Sequence, residues 1–170
     1  MILIEHEGRR QVVASLDGHD ACTVLAEDIP APPGYCTADD LLDDGTVPVE
    51  LTQNWLWERA KAIRSEKETG VAPTPIGGVQ IDEKSKAKIM GALDFCRLRE
   101  EQGQPFAMNF TMADNSRVVL DNTTVRQLAG AAGLYVAQLY DYSWTLRDAI
   151  FADGVSAEDL AAIDVEAGWP

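Results

Sequence analysis

From about Thr123 to Ala152 the chain carries Val125, Leu128, Ala132, Tyr135, Leu139, Tyr142, Leu146 and Ala149 at alternating spacings of three and four. That pattern places all eight along one side of a long α-helix and makes a continuous heptad seam. A stripe of this length must be covered, and there are two ways to cover it. The helix is the core of the fold, packed on other elements, or the seam joins copies of the chain as a dimer or trimer. The first is favoured, because other segments of the chain also have apolar faces to bury. Asp121 or Asn122 is placed to cap the helix. Gly130 and Gly133 lower its propensity and suggest that another backbone comes close there.

The remaining elements are read from periodicity and punctuation. Asn54 to Glu68 reads as a helix with Leu56, Ala60 and Ile63 on its apolar side, stopped at Gly70. Val71 to Val79 is rich in Pro and Gly and reads as a link. Asp82 caps a second helix from Glu83 to about Glu101, striped by Ile89, Leu93 and Cys96, with Gly103 as its stop. Phe106, Met108, Phe110 and Met112 alternate with Ala107, Asn109 and Thr111, the period of a strand with one buried face. Ala113 to Ser116 turns the chain, and Arg117 to Leu120 returns to make a hairpin. Ser156 caps a last short helix, from Ala157 to Ile163.

Ahead of this body, Ile2-Leu3-Ile4 and Gln11-Val12-Val13-Ala14 flank Glu7-Gly8 as a hairpin, and Ala21 to Leu25 suggests a third strand. Ile29 to Gly34 holds three prolines and reads as extended, and Asp39 to Gly45 as one helical turn. The expected fold class is α+β. Residues 1–50 form a small β arm with an acidic Pro-rich linker, and 51–170 a helical body with one β-hairpin and the long heptad helix.

Charge divides the chain along similar lines. The net charge is −14, yet residues 59–147 hold twelve basic and ten acidic side chains. The excess of acid lies in 11–58, with ten acids and no Lys or Arg, and in 148–170, with six acids and none. An acidic chain is a poor partner for phosphates, so nucleic acid and anionic membranes are not expected as ligands. A basic protein surface would suit the two acidic segments. No apolar run approaches the length of a transmembrane helix, and the first residues lack the basic start of a signal peptide. Three widely spaced cysteines, Cys22, Cys36 and Cys96, read as reduced thiols of a protein made in a cytoplasm.

The chain offers little to catalysis. His19, Cys22 and Cys36 share the arm but lack paired metal-ligand spacing. His6 has no nucleophile marked as its neighbour, and Cys96 falls on a core stripe. Asp39-Asp40, Asp43-Asp44, Glu100-Glu101 and Glu158-Asp159 are adjacent acids, whereas glycoside hydrolysis needs two carboxylates facing each other across a cleft. Gly77-Gly78 lacks the Lys-Ser/Thr of a phosphate loop. Lys84, Lys86 and Lys88 are read as pairing with nearby acids or solvent. No catalytic, cofactor-binding or metal-binding residue is therefore expected. The candidates are interface residues. Trp55 and Trp57 cannot share one helix face, and Trp169 either folds back on the body or anchors a partner. With them stand Ile2, Ile4 and Val12 of the arm, and Leu128, Tyr135, Leu139, Tyr142 and Leu146 of the seam.

An ordered set of short motifs runs through the body. These are Ala62-Ile63-Arg64, Gly70-Val71, Gly78-Val79-Gln80-Ile81-Asp82 with Ser85, Gly91-Ala92-Leu93, the hairpin Phe110 to Leu120, Leu160 to Asp164, and Gly168-Trp169-Pro170. Over residues 57–170 the chain resembles a domain family of unknown function found in tailed-bacteriophage and prophage tail proteins. Members of that family often have Trp where this chain has Phe110, and Gly where it has Asn115. The resemblance implies a structural virion protein of the tail tip, baseplate or fibre base, made in the host cytoplasm and binding other tail proteins. The alternatives are a tail-fibre assembly chaperone that leaves the mature particle and, third, a small glycan hydrolase.

Overall fold

The computed structural model describes the backbone of residues 2–6, 9–13 and 23–26, and both backbone and side chains of residues 47–170. Strands β1 (Ile2–His6), β2 (Arg9–Val13) and β3 (Thr23–Ala26) form an antiparallel sheet in the order β2-β1-β3. Ile2 stands opposite Val13, Leu3 opposite Val12 and Ile4 opposite Gln11. The three strands expected of the arm are present. The proline-rich stretch, the turn at 39–45, His19, Cys22 and Cys36 lie outside the described residues, as do the side chains of Ile2, Ile4, His6 and Val12.

Helix α1 (Val49–Glu68) begins five residues before the expected start at Asn54. Pro48 lies just ahead of it, and its carbonyl accepts from the N–H groups of Leu51 and Thr52 at 3.1 Å. A proline there loses nothing, since the first amides of a helix have no partner within it. After α1 comes a correction. Residues 71–79 are not a link but a hairpin of β4 (Val71–Thr74) and β5 (Gly77–Gln80), with Val71 opposite Gln80 and Pro73 opposite Gly78. The body therefore has two hairpins where the sequence suggested one. Helix α2 spans Glu83–Glu101, the expected limits. The Asp82 carboxylate accepts from the Ser85 N–H at 3.0 Å, and Gly103 takes the left-handed conformation, φ +66°, beyond its end.

Strands β6 (Met108–Thr111) and β7 (Arg117–Leu120) make the second hairpin, turning through Asn115 at φ 64°. The alternation read from the sequence is the alternation of burial. Phe106, Phe110 and Met112 are buried, while Ala107, Asn109 and Thr111 are exposed. Helix α3 (Asn122–Ile150) starts after Asp121, whose carboxylate accepts from the N–H groups of Thr123 and Thr124. Helix α4 (Ala157–Ala161) opens on a reciprocal cap in which Ser156 and Asp159 exchange side-chain-to-backbone hydrogen bonds.

The chain divides into two compact units, residues 1–59 with 147–165, and residues 60–146 with 166–170. In the first, Leu56, Ile150, Leu160 and Val165 are buried, and the Gln53 amide donates to the Ile150 carbonyl at 2.8 Å. The second holds one apolar cluster. Val79 and Ile81 come to it from β5 and its end, Ile89, Ala92 and Cys96 from α2, Phe110 and Leu120 from the β6–β7 hairpin, and Val125, Leu128, Tyr135 and Leu139 from α3. The seam of α3 is core from Val125 to Leu139 and again at Leu146, in line with the first of its two sequence readings, but Tyr142 is half-buried and Ala149 exposed, and Ser143 and Ile150 are enclosed instead. Leu128 and Leu139 have no exposed surface and Tyr135 and Leu146 are buried, so these four interface candidates are interior residues of the folded chain. The close approach suggested at Gly130 and Gly133 is absent: a Cβ at either would meet nothing within 4 Å.

Candidate functional site

The two hairpins create a site that neither side-chain pattern nor motif announced. The key is which way the backbone groups of β5 and β6 point. The Met112 N–H donates to the Ser116 carbonyl at 2.9 Å. In an antiparallel ladder the directions then alternate. Phe110 and Met108 bond to β7, while the N–H and C=O of Asn109 and Thr111 face the other edge. Ala113, in the same outward phase, uses that edge to donate to the Gly78 carbonyl at 3.0 Å. This bond also fixes the phase of β5. Gly78 and Gln80 point away from β4, and Ile81 donates to Gly70 at 3.0 Å on the ladder side. Pro73, opposite Gly78, needs no N–H toward β5, which explains how a proline sits in this hairpin.

The two hairpins are therefore stitched at Gly78–Ala113. Beyond that stitch an open groove of about 850 Å³ lies between the outward edges of β5 and β6, with α2 as its floor. Gln80 lines one wall, Asn109 and Thr111 the other, and Ala92 and Phe95 the floor. Phe95 is 45 % exposed, and its ring meets Phe106 edge-on at 5.8 Å between centroids. Among the described residues Lys88 is the sole charged side chain of the lining, and none of their carboxylates belongs to it. The nearby Asp82 carboxylate is engaged by Ser85, whose N–H and hydroxyl both donate to it, and it lies below the usual carboxylate range for that reason first, with Lys88 adding to the effect.

The other acids whose affinities are shifted also hold the scaffold. Asp121 is lowered by the N–H and hydroxyl of Thr124, Asp159 by Ser156, and Asp114 by Ser116 in the β6–β7 turn. Glu100 is lowered by the Asn122 amide and then by Arg126, and so ties the end of α2 to the start of α3. Arg64 of α1 donates to the Ser143 hydroxyl of α3 at 3.1 Å and lies over the Tyr140 ring at 4.5 Å. Tyr140 is raised by its hydrogen bond with Glu68. Among the described residues no three His, Cys, Asp or Glu side chains converge as a metal site, and no helix is long and apolar enough to cross a membrane.

The aromatic candidates have definite places. Trp55 and Trp57 are both half-buried on α1, on either side of the buried Leu56. Trp169 is folded back, half-buried against the apolar cluster, with its ring edge-on to Tyr142 at 4.9 Å. Tyr142, itself half-buried, donates to the Ala167 carbonyl at 2.7 Å. Gly168 between them sits at φ +81°, and a Cβ there would lie 2.3 Å from the Tyr142 hydroxyl. Lys67 and Tyr135 both donate to the Pro170 carbonyl at 3.4 Å. None of the eight interface candidates with described side chains lines the groove. Asn109 and Thr111 were visible only as the solvent face of a strand, and an open strand edge leaves no mark in side-chain chemistry.

Fold and groove together define an α+β domain with two small hairpins and three long helices. The chain belongs to the family described as domain of unknown function DUF4376, whose profile matches residues 52–167. No curated protein and no solved structure matches it.

Proposed function

We propose that this chain is a structural protein of a bacteriophage tail, at the tail tip, baseplate or fibre base, acting by protein–protein contact and not as an enzyme. The observation that carries the contact role is the groove between β5 and β6, whose outward backbone groups have no backbone partner among the described residues and whose floor is apolar, which suits a segment of protein. The tail assignment is supported by the motif order over residues 57–170. The shifted acids fit the same reading, since each serves as a cap, a turn or a helix tie. The acidic segments 11–58 and 148–170 suit basic surfaces of neighbouring tail proteins. With most of the seam of α3 buried within the chain, a dimer or trimer through the 123–152 helix would use its exposed side, which carries Leu134 and Tyr140.

Quantitative mass spectrometry of purified particles tests this. Peptides of the chain at a fixed ratio to the major tail proteins are the expected result. Their absence from particles, with the chain abundant in the producing cells, would overturn it in favour of an assembly chaperone.

A further inference from the structure

We infer that the groove accepts an extended segment of a partner protein as an added strand between β5 and β6, with an acidic side chain of that segment beside Lys88. This rests on the contact role proposed above and names the form its partner takes. The first argument is backbone chemistry. Gln80 on one wall, and Asn109 and Thr111 on the other, present N–H and C=O groups that no backbone group of the described residues pairs. An extended chain satisfies both edges at once. A helix satisfies neither, because its own backbone groups are bonded internally.

The second argument is shape. The walls are joined at Gly78–Ala113 and diverge from it, so the space is bounded by a strand edge on two sides and by α2 below. Side chains of an inserted strand alternate, so every second one would meet Ala92 and Phe95 while the others face solvent. The third argument is charge. In a chain of net −14 this groove is lined, among the described residues, by a lysine and no acid, which favours an anionic segment over a basic one. A single lysine cannot hold a polyanion, so nucleic acid does not fit.

The full chain should be used to select from a displayed library of random segments of about nine residues, long enough to pair along a typical strand. Selected sequences should have β-branched or aromatic residues at every second position, an acid at one fixed register, and no proline between them. N-methylation of synthetic versions should weaken binding about tenfold at each successive amide between the walls, since these face β5 and β6 in turn, and leave amides beyond the walls unaffected. Lys88→Glu should exchange the preferred acid for a base. Thr111→Pro should abolish binding with the melting temperature nearly unchanged, because the Thr111 N–H does not serve the β6–β7 ladder.

Failure to select any sequence would overturn the inference. So would selection of proline-rich or helical motifs, or binding indifferent to N-methylation. Selection of the chain's own segments, with oligomers in sedimentation, would assign the groove to a second copy and overturn it as well. The N-methyl series perturbs only the peptide, so it decides even if Thr111→Pro fails to fold. A negative result here alongside the chain's presence in particles would reject the inserted strand and leave the tail assignment standing.

Discussion

Gly168 and Gly133 make opposite demands. Gly168 holds a left-handed φ of +81° under the Tyr142 hydroxyl, where any side chain is both strained and obstructed. Gly133 lies within α3 with open space where a Cβ would go. Gly168→Ala should therefore destabilise by about 1–2 kcal/mol from the backbone alone, and more once Tyr142 is displaced. Gly133→Ala should stabilise by about 0.5–1 kcal/mol. Denaturant melts of the two variants beside the parent chain measure both, and equal signs would contradict these placements. The Gly168 change should also alter the fluorescence contributed by Trp169, whose ring it releases from Tyr142.

Among the elements, α3 is where burial decides between readings. Leu139 has no exposed surface and belongs to the apolar cluster of the second unit. Leu139→Asp should cost on the order of 5 kcal/mol and unfold the chain, because a carboxylate would be buried with no partner. Circular dichroism combined with sedimentation would detect it. Folded monomers released from an oligomer would be the wrong outcome. The limits of α2 were legible because Asp82 and Gly103 punctuate them, and β6 because its side chains alternate. The β4–β5 hairpin was not. Pro73 and Gly77-Gly78 are residues that strands usually avoid, and they are tolerated because Pro73 pairs where no hydrogen bond to β5 is required. The groove was illegible for a deeper reason. Its recognition groups are main-chain atoms of Gln80, Asn109 and Thr111, which every residue but proline carries.

For the molecule as a whole, the carboxylates set the pH response. Asp82, Asp121 and Asp159 cap three helices, and Glu100 ties α2 to α3; all four lie below their usual affinity for protons. A group lowered on folding stabilises the fold above its unfolded value and loses that contribution as pH falls through its folded value. Thermal midpoints should hold steady above the ordinary carboxylate range and drop through it and below. Asp82→Asn with Asp121→Asn should flatten the drop, since the amide oxygen still caps but does not titrate in this range. A chain whose midpoint rose steadily on acidification would show that relief of the −14 net charge outweighs the caps.

Cys96 adds a use that follows from its position. Its thiol is wholly enclosed between α2 and the apolar cluster, with no exposed surface and no disulfide. A thiol reagent reaches it only when that part of the chain opens, so the rate of alkylation at this one position times the opening of α2 from its neighbours. The molecule thus carries its own stopwatch for local unfolding, at a site removed from both acidic segments in sequence and needing no foreign label.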